Sequence, residues 1–484
     1  MVRIEPPCDV SQISPWDHHA DVVVAGLGVA GAGAALEAHR SGATVLVIER
    51  TSGGGGASAN SEGIFYLGGG TSMQRECGYE DTPENMYRFM RASTTTSDDA
   101  ALRLFCDQAA AHFDWLEAQG IRFERKAFVG KAVAVRTGEG LLTTGNEKVW
   151  PFKEAAAPVP RGHQAFTTPE RKGGVTAMRA LTDTVEREGI DVRWDTRVVG
   201  LVTEGERVVG LVAETDGRRI AIEARGGVVL ATGSFNLNPE MTAANLPVIS
   251  AHGTPLGIDT NDGVGVLLGT SVGGSTSGMN GHIATASLYP PSSLLKGIVV
   301  NNRGERFVPE DAYHGRLAYF VEQQPDHAAY LVVDEANFGY PEKGSHRLVD
   351  VFEDVTTLEA TVGLPPGSVQ STLDRYNAGA ETGQDTEFHK AAEWVEPLHP
   401  PLAVFDISIT SSDYHYIALG GLATDHDGRV LDQRRQPIPG LYAAGACAAH
   451  LPQNGGEYAS GMSLGPGSFF GRRAGEHAAS SAAR

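Results

Sequence analysis

Cysteine is scarce in this chain. The four present, Cys8, Cys77, Cys106 and Cys447, are scattered and form no C-x-x-C pair. That excludes a disulfide scaffold, a cysteine-based zinc site and a C-x-x-C-H haem attachment, and no metal site is expected. Positive charge is short as well. Lys and Arg number 39 against 59 Asp and Glu, a formal net charge of −20. The basic footprint that binds phosphate backbones is missing, so nucleic acid is not an expected partner. No stretch approaches the roughly 18 consecutive apolar residues of a membrane span. The opening MVRIEPPCDVSQISPWDHHA carries acids and prolines but no apolar core, unlike a secretory signal. A cytoplasmic protein is the expectation.

Glycine, by contrast, is abundant, at 60 of 484 residues. That is more than ordinary turns use, and it implies many places where backbone bends tightly or approaches a ligand closely. Apolar residues make up 41% and charged residues 20%, which suits a large buried core and not disorder. At about 100–200 residues per domain, the length suggests two or three domains.

The first strong pattern is DVVVAGLGVAGAGAALEAHRSGATVLVIER. Residues 21–25 are a short β-branched apolar run and predict a buried strand. Gly26-x-Gly28-x-x-Gly31 follows at once, then an alanine-rich helix to about residue 41 and a second buried strand over 44–48, ending in Glu49. This is a βαβ unit for a dinucleotide. Gly26 allows the sharp turn, Gly28 lets a pyrophosphate reach the backbone, and Gly31 allows close helix–strand packing. The helix N-terminus offers unpaired N–H groups to the phosphates. Glu49, 18 residues after Gly31, is placed to accept hydrogen bonds from the ribose. A loop of glycines and small hydroxyls follows, with Gly53–56 and Gly68–70 bracketing Ser58, Asn60 and Ser61. Such a loop can wrap a long cofactor with backbone N–H groups.

Residues 82–118 are expected to be mostly helical, closing at Trp115 and Leu116 before a Gln119-Gly120 cap, and 174–188 form a second amphipathic helix. A β-meander then turns at Gly205 and at Asp216-Gly217 and ends in a final buried strand over 228–231, followed by Thr232-Gly233-Ser234. Over 273–410 the dinucleotide signals stop, and proline and aromatics increase, as in an inserted α+β unit. Beyond it come a hairpin, a buried strand over 441–444, Gly445, the run Tyr458-Ala459-Ser460-Gly461-Met462-Ser463-Leu464-Gly465, and an alanine-rich helix.

The βαβ unit alone does not separate NAD from FAD. FAD is favoured by the glycine-rich loop directly after Glu49, by the late meander with its A-T-G strand, and by the lack of a second G-x-G-x-x-G unit for a nicotinamide. Electrons are therefore expected to leave to an external acceptor. Here the chain resembles the fumarate reductase / 3-ketosteroid dehydrogenase family of flavoproteins over nearly its whole length. The landmarks are the first βαβ unit, residues 228–233, NNRGERFVPE at 301–310, and residues 420–422, 439–445 and 463–471. The resemblance implies a Rossmann-like FAD-binding domain of the glutathione-reductase type, built from 1–272 and 411–484, with an inserted α+β capping domain at 273–410. It carries the flavin contacts to Gly26, Gly28, Val29, Ala30 and Gly31; to Glu49 and Arg50; to Gly56, Ala57 and Ser58; to Val198; to Ala231, Thr232 and Gly233; to Asn261 and Asp262; and to Gly445, Ala446, Ser463 and Leu464. Ala446 stands where members often have Glu. Residues 52–56 lack the His to which respiratory-type members attach flavin, so FAD is expected to be non-covalent.

Members that reduce fumarate hold two carboxylates with Arg and His, through charge-assisted hydrogen bonds. The corresponding positions here are Tyr313-His314-Gly315 after Arg306-Phe307-Val308-Pro309-Glu310, Ile417-Ala418 before Gly420-Gly421, and Tyr458 six residues before Leu464. A site with neutral groups at two of three clamps suits an uncharged ketone in an apolar cleft. The resemblance to the ketosteroid branch implies that the Tyr458 hydroxyl and the Gly461 N–H polarise a C3 ketone, that an α-proton is removed, and that hydride passes from the β-carbon to flavin N5. The Tyr458–Gly461 loop is one residue shorter than the Δ1-dehydrogenase pattern and carries Ser460, which is closer to the Δ4-(5α)-dehydrogenases. Ser460 would take the proton and hand it to Tyr313. Three alternatives stay open at these positions: Ser460 as a plain turn residue, Tyr313 as a buried core tyrosine, and Tyr319 in place of Tyr313. His314 and His415 read as structural or surface residues, and Met462 as core filler. The competing functions are a Δ1-dehydrogenase, an enoate reductase of the fumarate type, and a non-catalytic binder on a flavin fold.

Overall fold

A computed structural model describes residues 3–96, 98–342 and 346–482. The βαβ unit forms strand β1 (His18–Ala25), helix α1 (Val29–Arg40) and strand β2 (Val45–Ile48). β1 and β2 pair in parallel, and Val22, Val23 and Val24 are fully buried. A β-branched run covered on both faces is what a parallel sheet requires. Among the described residues the sheet has nine strands. The meander contributes β3 (Thr196–Glu204), β4 (Arg207–Thr215) and β5 (Arg218–Leu230), and β6 (Pro437–Ala443) joins it late in the chain.

The final strand expected at 228–231 is the second half of β5, which runs on from Arg218 without a break and ends at Leu230. Its first half pairs antiparallel with β4; its second half pairs in parallel with β6, while β1 pairs along the other edge from Ile222 to Leu230. The register shifts between Ala224 and Gly227. A bulge at this point lets one strand change partner without ending.

Helix α2 spans His314–Glu322, and the last helix, α3 (Leu464–Ala482), lies against α1. A Cβ on Gly475 would stand 2.1 Å from the Ala34 carbonyl oxygen, and one on Gly471 would stand 2.3 Å from that of Ala30. The two helices meet backbone to backbone, which accounts for part of the glycine excess. Between residues 298 and 406, a separate four-stranded antiparallel sheet runs in the order Ile298–Asn301, Ala329–Asp334, Leu402–Asp406, Arg347–Phe352. The landmark NNRGERFVPE follows its first strand. Its Arg306 makes paired bonds of 2.8–3.0 Å to Glu310 and to Asp385, and Lys390 lies 3.2 Å from Glu310. All four side chains are buried. This cluster fixes the segment that leads into Tyr313. Among the described residues, no helix is long and apolar enough to cross a membrane.

Candidate active site

The carboxyl end of β1, the N-terminus of α1 and the tip of β2 open into a cavity of about 640 Å³, a volume that suits an organic ligand. Gly28 is the N-cap of α1 and supplies no side-chain cap, so the first N–H groups of the helix have no side chain from that position to accept them. A Cβ on Gly28 would find its nearest protein atom, Ser58 Oγ, 3.6 Å away. At Gly31 it would stand 1.9 Å from the Gly26 carbonyl oxygen. Gly28 therefore faces a cradle, and Gly31 packs behind the wall.

The Glu49 carboxylate is fixed by accepting from Leu27 N at 2.8 Å and Thr51 N at 2.9 Å, and it lies on the cavity wall. Ser58 Oγ accepts from Val29 N at 3.3 Å. Arg50 is also on the wall and pairs with Asp262, which caps Val264 N at 3.1 Å and is itself set back from the wall. The other residues expected to touch cofactor, from Gly56 to Ser58, Val198, 231–233, Asn261, Gly445, Ala446, Ser463 and Leu464, all line this cavity. A helix N-terminus for phosphates, a held carboxylate for a ribose and walls of small residues together fit FAD.

The same cavity continues to Tyr313, Tyr458, Ser460 and Gly461. Tyr313 is the N-cap of helix α2 (His314–Glu322), and its side chain makes no cap bond. It reaches Ser460 instead, with the two hydroxyls 2.9 Å apart. Gly461 turns the chain with φ +101°, and its carbonyl accepts from Tyr66 N at 3.1 Å and Gly465 N at 2.9 Å. The Tyr458 hydroxyl lies 2.8 Å from Ser463 Oγ. Burial, then the neighbouring Tyr458, pushes the Tyr313 phenol well above its ordinary value, and burial also raises Tyr458. Both phenols stay protonated at neutral pH.

Tyr319 is absent from the wall and lies against Phe320, ring centroids 5.4 Å apart. Of the two histidines, His415 is exposed and His314 is buried, and both reach the wall. Burial, then the Lys131 charge, pushes His314 down to about 3, so it is neutral; its Nδ1 lies 2.7 Å from Thr285 Oγ1. Apolar side chains of Ile64, Val133, Leu256, Ile283 and Ile417 complete the wall. Its Arg and Lys residues are Arg50, Lys172 and Arg197, and each faces a carboxylate: Asp262, Glu62 at 3.7 Å and Glu214 at 2.7 Å. Of these apolar wall residues only Ile417 stands out in the sequence, at a clamp position; the other four carry no sequence signal, nor do Thr144 and Asn146, which bond to the backbones of Ser460 and Tyr313.

Residues 21–464 match the family described as FAD binding domain. The chain belongs to that family, and its cofactor is FAD. This FAD-binding protein is 39% identical to the 3-ketosteroid-Δ4-(5α)-dehydrogenase of Rhodococcus jostii, a structure solved with 4-androstene-3,17-dione. The match covers 98% of this chain and 100% of that one, with a TM-score of 0.92. It is 29% identical to the 3-oxo-5α-steroid 4-dehydrogenase of Comamonas testosteroni, over 89% of this chain and 93% of that protein. A 3-ketosteroid Δ1-dehydrogenase from Sterolibacterium denitrificans shares the fold at 20% identity and a TM-score of 0.73, covering 96% of this chain and 100% of that one.

Proposed function

We propose that this FAD-binding protein dehydrogenates 3-keto-5α-steroids across C4–C5. The observation that carries the reading is the Tyr313–Ser460 hydroxyl pair at 2.9 Å, beside Tyr458, on an apolar wall whose Arg and Lys side chains all face carboxylates. Such a wall accepts an uncharged ketone and leaves a dicarboxylate uncompensated. With Ser463 donating to Tyr458, the Tyr458 O–H is left to donate to the C3 ketone, and the Gly461 N–H completes an oxyanion site. The polarised ketone acidifies C4, and Ser460, backed by Tyr313, takes the C4 proton. Because both phenols are held protonated, no free tyrosinate takes the proton: as C4 gives its proton to Ser460, Ser460 passes its own to Tyr313 and Tyr313 releases its phenolic proton to water, in concert with loss of hydride from C5. Bound FAD would supply the acceptor for the hydride that leaves C5.

The steroid specificity also draws on the 39% identity to the Δ4-(5α)-dehydrogenase, against 20% for the Δ1 enzyme. FAD is held without a covalent bond, since residues 52–56 contain no histidine. Residues 1–272 and 411–484 form the FAD-binding unit, and 273–410, with its own four-stranded sheet, form the cap. The electrons pass on to an external acceptor.

The test is anaerobic bleaching of the flavin by a panel of 3-ketosteroids. The 5α-reduced compounds should bleach it, and their Δ4 products should not. Reduced enzyme should not reoxidise with fumarate. Rapid fumarate turnover, or bleaching by Δ4-3-ketosteroids alone, contradicts the reading.

A further inference from the structure

Tyr313 and Ser460 are 147 residues apart in the chain, yet their hydroxyls meet at 2.9 Å. A hydroxyl pair is sensitive to small errors, since its range of useful distances is about 2.5–3.0 Å. Something must hold the two backbones in register. Tyr313 sits at a helix N-cap and Ser460 precedes a left-handed turn, so neither is inside a ladder of repeating hydrogen bonds.

One short run, Thr144-Gly145-Asn146-Glu147, reaches both. Thr144 grips Ser460 reciprocally: its carbonyl accepts from Ser460 N at 2.9 Å, and its hydroxyl donates to the Ser460 carbonyl at 3.0 Å. Asn146 Oδ1 accepts from Tyr313 N at 2.9 Å. Glu147 Oε1 accepts from the Tyr66 hydroxyl at 3.0 Å, while Tyr66 N donates to the Gly461 carbonyl at 3.1 Å. The Glu147 carboxylate is tied back to the run by Gly145 N at 2.9 Å. Thr144, Asn146, Glu147 and Tyr66 are all buried, so these bonds do not exchange freely with water. None of the four lines the cavity.

We infer that Asn146 and Thr144 are positioning residues: by holding the Tyr313 and Ser460 backbones from one rigid run, they set the hydroxyl pair that moves the C4 proton. This rests on the proposed dehydrogenation. A misplacement of about 1 Å in a reacting group costs roughly a hundredfold in rate, and it acts on the reacting geometry more than on binding. Asn146→Ala removes the acceptor of Tyr313 N and no group on the cavity wall.

The test is a double-mutant cycle on the FAD-loaded enzyme with a 5α-3-ketosteroid. Asn146→Ala alone should lower kcat by about ten- to a hundredfold, with KM changed by less than about threefold and FAD content unchanged. In a Tyr313→Phe background the same substitution should cost less than about threefold, because the hydroxyl it positions is gone. An equal loss in both backgrounds, or no loss in either, overturns the inference. If Asn146→Ala does not fold, the cycle of Thr144→Val with Ser460→Ala decides by the same criteria. Failure of the wild-type enzyme to turn over any 3-ketosteroid is the distinct outcome that sinks the proposed function instead.

Discussion

Alanine at Gly28 and alanine at Gly31 add the same methyl three residues apart, and the two should fail in opposite ways. At Gly28 the new carbon meets Ser58 Oγ at 3.6 Å and the Gly55 carbonyl oxygen at 3.9 Å, which are ordinary contacts. The fold should lose at most a few tenths of a kcal/mol: alanine is a poorer N-cap than glycine by up to about 1 kcal/mol, but where φ is −81° it is unstrained and restricts the unfolded chain by about 0.4–1 kcal/mol. The methyl instead stands in the cradle at the start of α1, where a pyrophosphate must come close to the backbone. Losing that approach should weaken FAD binding by a hundredfold or more, or about 2.7 kcal/mol. At Gly31 the carbon stands 1.9 Å from the Gly26 carbonyl oxygen and 2.9 Å from its carbon. Only a shift of α1 off β1 relieves this, and α1 is itself wedged against α3. Overpacking of this kind costs about 1–3 kcal/mol, occasionally more. The assay is flavin-to-protein absorbance after gel filtration, together with the urea midpoint of the apoprotein. Gly28→Ala should be colourless with a near-normal midpoint; Gly31→Ala should have a lowered midpoint. A Gly28→Ala protein that keeps FAD with wild-type affinity would refute the placement of the phosphates at this turn.

Arg306→Met should lower stability by about 3–5 kcal/mol in a denaturant titration, because it leaves Asp385 buried without its cation and Glu310 with Lys390 alone; a loss under about 1 kcal/mol contradicts this. Burial pushes His163, His314 and His346 down to about 4, 3 and 4 from 6.5. The unfolded chain therefore takes up their protons first as pH falls below 6.5, and stability is lost from there down towards pH 4. Each contributes a slope approaching about 1.4 kcal/mol per pH unit, so urea midpoints at pH 7, 6 and 5 should fall steeply, and a flat series contradicts the burial. Tyr458→Phe should cut turnover by about a hundredfold, like the loss of one oxyanion donor, with little change in KM or FAD content. A change confined to KM would assign Tyr458 to binding alone.

The local parts of this architecture are legible from sequence, because βαβ geometry is written in adjacent residues. The run of valines, the glycine turn and the terminal Glu49 lie within one short span, and their roles need no distant partner. Continuity of β5 is not legible in the same way. Arg225-Gly226-Gly227 has the composition of a turn, and only the parallel partners β1 and β6 carry the strand through it. Tyr313 and Tyr319 have the same chemistry and differ by six residues, which on a helix turns the side chain through about 240°. One therefore faces the cavity and the other faces Phe320. Thr144 and Asn146 leave no sequence signal, because their contacts are to residues 316 and 167 positions away and follow no period. Arg306 was recognisable as part of a landmark, but its role as the centre of a buried charge cluster depends on Asp385, 79 residues on.

One labelled substrate tests whether the site desaturates C4–C5. A saturated 5α-3-ketosteroid carrying deuterium at C5 is given to the enzyme with an artificial electron acceptor, and both product and rate are read. With Ser460 taking the C4 proton and Tyr458 holding the ketone, the product should be the 4-ene, and the C5 label should slow the reaction with a primary isotope effect. A 1-ene formed with no effect of the C5 label would contradict the account and assign the chain to Δ1 chemistry.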